Sequence, residues 1–263
     1  MESGGSDGSD ASGESPALLS PNGFKSRVWG PQVMWPVYHG WSAENWLRDC
    51  GVNELVLFFL YSVGFTLPCV YCRHSSLDFL SEPGLAASRF LHDDRASRGS
   101  RASGPHRLQD LQVALHNCVN QKLGRPRWPR GRPPPDLDWR ARFWDWLFLL
   151  ALDYPLNVSL EVREVDRDVS RRYRTYVYFF DLLKDLIPDA AWRKRWTSAF
   201  LDHPPTPTTF ASRSALVRWL YEAMYCRMDP APVPFAALME RYGPMRASSC
   251  TAHSRPGEAK SCE

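Results

Sequence analysis

Apolar positions along this chain recur mainly at helical spacing. The clearest stripe consists of Leu108, Leu111, Leu115, Val119 and Leu123. Residues three or four apart share one face of an α-helix, so this stripe predicts an amphipathic helix over residues 108–123. A glycine and a proline follow it directly and would end the helix.

Further helices are predicted on both sides of this one. Residues 28–80 have a helical pattern, with a proline-free apolar stretch at Ala43–Phe65. A new helix should begin at Pro68 and run to about Leu80, because proline suits a first helical turn. Downstream helices are predicted at Phe143–Asp153, Val169–Leu186, Ala190–Leu201 and Ser212–Arg227. Leu156–Val165 is a weak strand candidate, and the predicted class is all-α.

Changes in composition predict the domain organisation. Low complexity at the N-terminus indicates disorder, and a stretch rich in Ser, Gly, Ala and Arg indicates a flexible insertion. The predicted divisions are a disordered tail at 1–25, a helical domain at 26–128 with an insertion at 82–107, a Pro/Arg-rich linker at 129–138, a second helical domain at 139–245 and a polar tail at 246–263.

Composition narrows the class of protein. The 263 residues are 44% hydrophobic and 13% aromatic, which is enough for a sizeable core, and the net charge of +3 argues against a nucleic-acid binder. The longest apolar runs, Leu55–Tyr61 and Leu147–Leu152, are too short to span a membrane. The first twenty residues lack the apolar segment of a signal peptide. A soluble, intracellular protein is therefore expected.

Two cysteines form a C-x-x-C pair, Cys69 and Cys72, in the first turn of the helix that begins at Pro68. Unpaired amides at a helix N-terminus lower a thiol pKa, so one sulfur can exchange with a substrate dithiol or disulfide. The alternative is half of a zinc site. His74 is close by, but no second ligand pair with suitable spacing exists in the sequence.

The helix over 108–123 also carries a polar face. His116 and Asn120 are four residues apart and share that face, while Asn117 lies one position round. A planar ring can stack on the imidazole, and Lys122 and Arg125 can bind phosphates. The alternative is an ordinary polar helix face with a glycine stop.

An aromatic segment precedes the cysteines. Trp29 and Gly30 open it, and Trp35 and His39 follow four residues apart. Taken by itself, this segment indicates an aromatic anchor beside a surface histidine.

In this order the segments resemble the Erv/ALR family of FAD-dependent sulfhydryl oxidases. The resemblance is carried by the aromatic segment, the C-x-x-C pair and the run His-Asn-x-Val-Asn-x-Lys-Leu-Gly-Arg-Pro that starts at His116, and it covers about residues 28–128. It implies a four- or five-helix bundle that binds FAD, usually in a homodimer. The implied enzyme is a thiol oxidase that makes disulfides in protein substrates and passes the electrons to oxygen, giving hydrogen peroxide.

The resemblance also assigns roles to residues. Cys72 should lie against the isoalloxazine as the charge-transfer thiolate, and Cys69 should exchange with a substrate dithiol or a thioredoxin-like carrier. The implied cofactor-binding residues are Trp29, Gly30, Trp35, His39, His116, Asn117, Asn120, Lys122, Leu123, Arg125 and Trp128. No metal is implied. The interval from Trp29 to His39 is one residue longer than usual, which a bulge or a shifted helix start would absorb.

The second half weakly repeats the first. Ile187–Arg193 parallels Leu67–Arg73 without the cysteines, which suggests a degenerate copy that binds no flavin. An unrelated helical interaction domain is the alternative. Two-domain chains of this kind resemble the sulfhydryl oxidases of large DNA viruses, for which the host cytoplasm or the virion is the expected location.

The polar tail holds two more cysteines, Cys250 and Cys262. A flexible tail can reach a partner's active site, so these are shuttle candidates, with stray tail cysteines as the alternative. For the whole chain, the alternative class is a non-catalytic helical adaptor whose C-x-x-C is a structural disulfide or a metal clip.

Overall fold

The structure is a computed structural model that describes residues 16–20, 22–45, 64–81, 107–128 and 138–248. Every regular element within those ranges is helical, and the β-structure there is limited to a single bridge between Phe24 and Arg246. The predicted all-α class is confirmed. None of the helices in the described ranges is long and apolar enough to cross a membrane.

The helices follow the chain in order. They are α1 (Pro16–Leu19), α2 (residues 26–45), α3 (Val70–Ser81), α4 (Arg107–Lys122), α5 (Trp139–Leu152), α6 (Leu160–Val165), α7 (Arg167–Leu186), α8 (Ala190–Asp202), α9 (residues 213–228) and α10 (Phe235–Tyr242). Those predicted near residues 68–80, 108–123, 143–153, 169–186, 190–201 and 212–227 are confirmed to within a few residues. α10 was not predicted. Most of Ala43–Phe65, the insertion and the linker lies outside the described residues.

The strand candidate Leu156–Val165 is wrong. Ser159 takes extended backbone and its hydroxyl accepts a hydrogen bond from the Val162 N–H, which starts α6 at Leu160. A serine in this position satisfies a free amide of the first helical turn. The alternating pattern there reflects a short, largely exposed helix.

α2 contains a π-helical turn, Gly30–Met34, between two α-helical segments. A π-turn inserts one extra residue into a helix without ending it. Of the two explanations offered for the long Trp29–His39 interval, the structure therefore contains the bulge.

The core is continuous between the two halves of the chain. α5 is buried on all sides over residues 145–152, whereas Arg140, Ala141 and Arg142 near its start are exposed or partly exposed. It packs against α2 of the first half and α9 of the second half. A helix segment that is buried on every side belongs in the middle of a protein, and α5 joins both halves into a single core.

The two halves repeat a turn. In the first, the Arg73 guanidinium donates to the Leu67 carbonyl at 2.7 Å, and in the second the Arg193 guanidinium donates to the Ile187 carbonyl at 2.7 Å. The second turn is buried where it begins, with Ile187 0% exposed, whereas Ala190 and Ala191 at the start of α8 are exposed. This is what a duplication would produce, and the duplication stays a hypothesis.

The repeated turns differ in the group at the helix N-terminus. The Cys72 N–H donates to the sulfur of Cys69 at 3.2 Å, and the Trp192 N–H donates to the carboxylate of Asp189 at 2.9 Å. Asp189 thus stands where Cys69 stands in the first turn. Its pKa is lowered, first by the backbone N–H of Trp192. The position favours an anion, as a helix N-terminus should.

Part of the N-terminal tail is packed, in contrast to the predicted disorder over 1–25. Leu18 and Phe24 are buried. Residues 22–25 lie antiparallel to residues 244–248, and we call this pair of segments the terminal clasp. The Lys25 N–H donates to the Met245 carbonyl at 2.9 Å, and the Ala247 N–H donates to the Gly23 carbonyl at 2.9 Å. The predicted polar tail therefore begins with residues that are held in place.

Candidate functional site

The C-x-x-C pair lies where α3 begins. The sulfurs of Cys69 and Cys72 are at disulfide distance, and their Cα atoms are 5.1 Å apart. Cys69 is 0% exposed, whereas Cys72 is half-buried. The two sulfurs therefore face different surroundings.

Cys72 lines a narrow slot between α2, α3 and α4. The apolar walls are formed by Trp29, Gly30, Pro31, Met34, Trp35, Tyr38, Leu67, Phe79, Leu115, Val119 and Leu123. Its polar groups come from Ser26, Ser75, Ser76, Asn120, Lys122 and Arg125. The slot brings Cys72 together with seven of the predicted cofactor-binding residues.

An aromatic column stands beside the slot. The rings of Trp35 and His116 are stacked, with centroids 4.0 Å apart and an interplanar angle of 9°. Trp128 lies parallel to His116 at 6.1 Å. Nε2 of His39 and Nδ1 of His116 are hydrogen-bonded at 3.0 Å. The column thus unites four of the predicted residues from three separate segments.

Both histidines of the column are neutral at physiological pH. Burial, followed by the charge of His116, lowers the pKa of His39 to about 3. Burial, followed by the charge of Arg125, lowers the pKa of His116 to about 4. In the neutral pair one ring donates and the other accepts, so both imidazoles keep one orientation.

Acid should weaken the fold through these two histidines. The pKa values of His39 and His116 in the folded state lie below the value near 6.5 of an unfolded chain, so the unfolded state binds more protons. Their contribution is complete above about pH 6.5 and is lost as the pH falls towards 4. In urea unfolding at pH 7 and pH 4.5, His116→Gln should lose less stability on acidification than the parent. Exposed His74→Gln is the control, and equal losses in all three proteins would contradict this.

The two asparagines of α4 hold the segment that follows. The Asn117 amide donates to the Trp128 carbonyl at 3.1 Å and accepts from the Trp128 N–H at 2.6 Å. The Asn120 amide donates to the Pro126 carbonyl at 3.2 Å. Gly124, at φ 65°, makes the turn between them in a region that favours glycine. Asn117 therefore positions Trp128 against the aromatic column.

Lys122 brings a cation to the slot. Its ammonium donates to the hydroxyl of Ser75, so it bridges α4 and α3. Burial lowers the pKa of Lys122, with Asp78 acting in the opposite direction. A partly desolvated ammonium interacts more strongly with a nearby anion than one in water does.

A larger outer cleft, of about 710 Å³, adjoins the slot. Both cavities are lined by Pro31, Trp35, Asn120 and Arg125. The other residues of the outer cleft are Gln32, Val33, Pro36, His116, Pro126, Arg127, Trp128, Arg142, Asp145, Arg241, Tyr242 and Met245. This volume is in the range of small-molecule and cofactor sites.

The donor chemistry of the two cavities fits a flavin dinucleotide. Aromatic and apolar walls suit a planar ring, the Asn120 amide and the Lys122 ammonium suit ring heteroatoms, and the arginines suit phosphates. The slot itself has a volume of about 80 Å³, that of roughly three water molecules. A tricyclic ring therefore enters only if the walls beside Trp35 move apart.

The sequence did not single out the cleft residues of the second half as site residues. Asp145 lies between two tryptophans that indicate core, and Arg241 lies on a helix that was not predicted. The shuttle candidates Cys250 and Cys262 lie outside the described residues. Within the described ranges, no group of three or more His, Cys, Asp or Glu side chains is arranged to hold a metal ion.

No protein-family model, curated protein or solved structure matches the chain.

Proposed function

We propose that this protein is an FAD-dependent thiol oxidase that forms disulfides in protein substrates. The observation that carries the proposal is the placement of Cys72, one half of a C-x-x-C pair, on the wall of a slot that also holds Trp35, Asn120 and Lys122. A thiol that can be oxidised and reduced thus adjoins a site suited to a planar, anionic cofactor.

The reaction starts with the Cys69–Cys72 disulfide. A substrate thiolate attacks the sulfur of Cys69, and the Cys69–Cys72 bond breaks to leave a thiolate on Cys72. The second substrate thiolate then attacks the mixed disulfide, which releases an oxidised substrate and a reduced Cys69. Lys122 lines the slot that receives the Cys72 thiolate and favours its charge.

A bound cofactor would complete the cycle. When bound, FAD would supply an acceptor for the two electrons of the Cys69–Cys72 dithiol and a route for them, with two protons, to molecular oxygen, giving hydrogen peroxide. The residues that would hold it line the slot and the outer cleft. A protein dithiol, such as that of a thioredoxin-like carrier, is the proposed substrate, and the homodimer stays a prediction.

The terminal clasp adjoins the segment that carries the substrate-side cysteine. The Phe24 N–H donates to the carbonyl of Pro68 at 2.8 Å, directly before Cys69, and Phe24 is 0% exposed. The Arg246 guanidinium lies 4.0 Å from the Phe24 ring centroid. Because Cys69 is fully buried, the proposed exchange requires it to become exposed, and we propose that the neighbouring clasp opens to allow this.

Loosening the clasp should expose Cys69. A Cβ at Gly23 would lie 2.8 Å from the Pro68 carbonyl oxygen and 3.2 Å from a carboxylate oxygen of Asp153, so Gly23→Ala forces these groups apart. Overpacking strain of about 1–3 kcal/mol raises the population of open forms. In the reduced protein, N-ethylmaleimide should label Cys69 about tenfold faster than in the parent.

Two controls separate local from global opening. Gly243→Ala places a Cβ with nothing within 4 Å and should leave labelling unchanged. Labelling of Cys226, which lies on α9, should be the same in all variants, with mass spectrometry assigning each site. Equal labelling of Cys69 in Gly23→Ala and in the parent would show that the clasp does not limit access.

A second candidate function is a helical adaptor with a structural disulfide. The observation that favours it is the complete burial of Cys69. In that case the Cys69–Cys72 bond would persist through reduction by thiols under native conditions, and the slot would bind no flavin.

Flavin content and oxygen use distinguish the two functions. The purified full chain, incubated with FAD and desalted, should retain yellow colour near one flavin per chain. It should consume oxygen with dithiothreitol and produce hydrogen peroxide in equal amount. A colourless, inert protein after this treatment would overturn the oxidase proposal, and stoichiometric zinc would favour a metal clip.

A further inference from the structure

We propose that the second half of the chain supplies an anion-binding wall to the cofactor site, in which Arg142 and Arg241 hold the diphosphate of FAD. This inference rests on the proposed function. Arg142 lies on α5 and Arg241 on α10, and both line the outer cleft together with His116 and Trp128 of the first half. The cofactor would therefore be bound between the two halves.

Asp145 fixes the geometry of this wall. Its carboxylate accepts from the Arg241 guanidinium at 2.8 Å and from the Tyr242 hydroxyl at 2.9 Å, and Arg142 lies 4.0 Å away. The Asp145 side chain is only 9% exposed. A buried carboxylate with two hydrogen-bond donors holds the arginine in one orientation, so the guanidinium is pre-organised for an incoming anion.

The guanidinium groups themselves remain accessible. The side chain of Arg241 is 55% exposed and that of Arg142 is 42% exposed. A phosphate can approach both without breaking the bonds to Asp145, because a guanidinium has five N–H donors.

The charges in the cleft are unbalanced. Among the described residues that line it, Arg125, Arg127, Arg142 and Arg241 face the single carboxylate of Asp145, and His116 is neutral. The cleft thus has an excess of positive charge, which the negative charge of a diphosphate would balance. A guanidinium group can also bind two phosphate oxygens at once. A free flavin ring without phosphates would leave the wall unused.

The two cavities are continuous, and this determines how a bound ligand would be oriented. The slot at Cys72 and the outer cleft share Trp35, Asn120 and Arg125. A ligand whose ring enters the slot therefore extends past Arg125 into the cleft. Its anionic middle section then meets the wall formed by Arg142 and Arg241.

Titration of the flavin-free full chain with FAD and with riboflavin tests the wall. Arg241→Gln and, separately, Arg142→Gln should each weaken FAD affinity about tenfold, since hydrogen bonds to charged groups are lost. Riboflavin affinity should not change. The loss of FAD affinity with added sodium chloride should be less steep in both variants than in the parent. Arg241→Lys keeps the positive charge but loses the paired N–H donors of the guanidinium group. Its FAD affinity should lie between those of the parent and Arg241→Gln.

The matched control is Arg227→Gln, which removes an exposed arginine outside the cleft and should leave FAD affinity unchanged. Thermal unfolding of each variant shows whether it is folded. Unchanged FAD affinity in both cleft variants, or equal weakening of FAD and riboflavin, would overturn the wall and leave the oxidase proposal standing. If the parent binds neither FAD nor riboflavin, the wall and the oxidase proposal both fail.

Discussion

Replacing Cys72 with serine should abolish the oxidation of dithiothreitol by oxygen. Serine keeps the size of the side chain but cannot form the disulfide that accepts the two electrons, so turnover should fall by at least about a thousandfold. Cys72 is only one of many residues that line the slot, so the Cys72→Ser variant should still bind flavin. Oxygen-electrode rates, with flavin content measured on the same samples by absorbance, check both statements.

Cys226→Ser is the control for this experiment. It removes a half-buried cysteine of α9, far along the chain from the C-x-x-C pair, and should keep activity within about twofold. Activity above a tenth of the parent in Cys72→Ser would contradict the role of Cys72. Loss of flavin together with activity would show that the substitution damages the site instead.

The Asp153→Asn substitution should cause the largest loss of stability. The Asp153 carboxylate, 8% exposed, accepts from the Arg73 and Arg172 guanidinium groups, whose side chains are only 13% and 11% exposed. Asparagine keeps the shape but leaves two buried cations without a counter-charge. Breaking a buried ion pair in this way costs about 3–5 kcal/mol. Urea unfolding of the two proteins measures the difference.

The matched control is Asp181→Asn. Asp181 pairs with Lys184 on α7, but its side chain is 53% exposed, so the loss should be about 1 kcal/mol or less. If Asp153→Asn costs no more than Asp181→Asn, the buried cluster does not hold α3 against α5 and α7 as the structure suggests.

The apolar pattern predicted the long helices because their stripes depend only on neighbours three and four residues away. The terminal clasp could not be found that way. It joins residues more than 200 positions apart, such as Asn22 and Ser248. The burial of Phe24 within it depends on the whole fold. Composition at the N-terminus indicated disorder because it is dominated by glycine and serine.

The candidate site was predictable where residues on one helix share a face. His116, Asn120 and Lys122 were identified from spacing on α4 and the family resemblance. The stacking of Trp35 on His116 brings together separate helices, and spacing alone does not specify it. The wall formed by Arg142 and Arg241 depends on the hydrogen bonds that join α10 to Asp145 of α5. α10 has only eight residues, which is too short a run for apolar spacing alone to establish a helix.

The core shared by the two halves determines whether fragments of the chain can fold by themselves. The Trp41 indole donates to the Leu186 carbonyl, and the Arg140 guanidinium donates to the Glu44 carboxylate at 2.8 Å, so each half supplies hydrogen-bond partners to the other. The proline-rich stretch at 129–138 thus separates the two halves in sequence, but the two halves form one cooperative folding unit. A fragment ending there would expose the face of α2 that packs against α5. Neither half should fold autonomously, and the intact chain should unfold in a single transition.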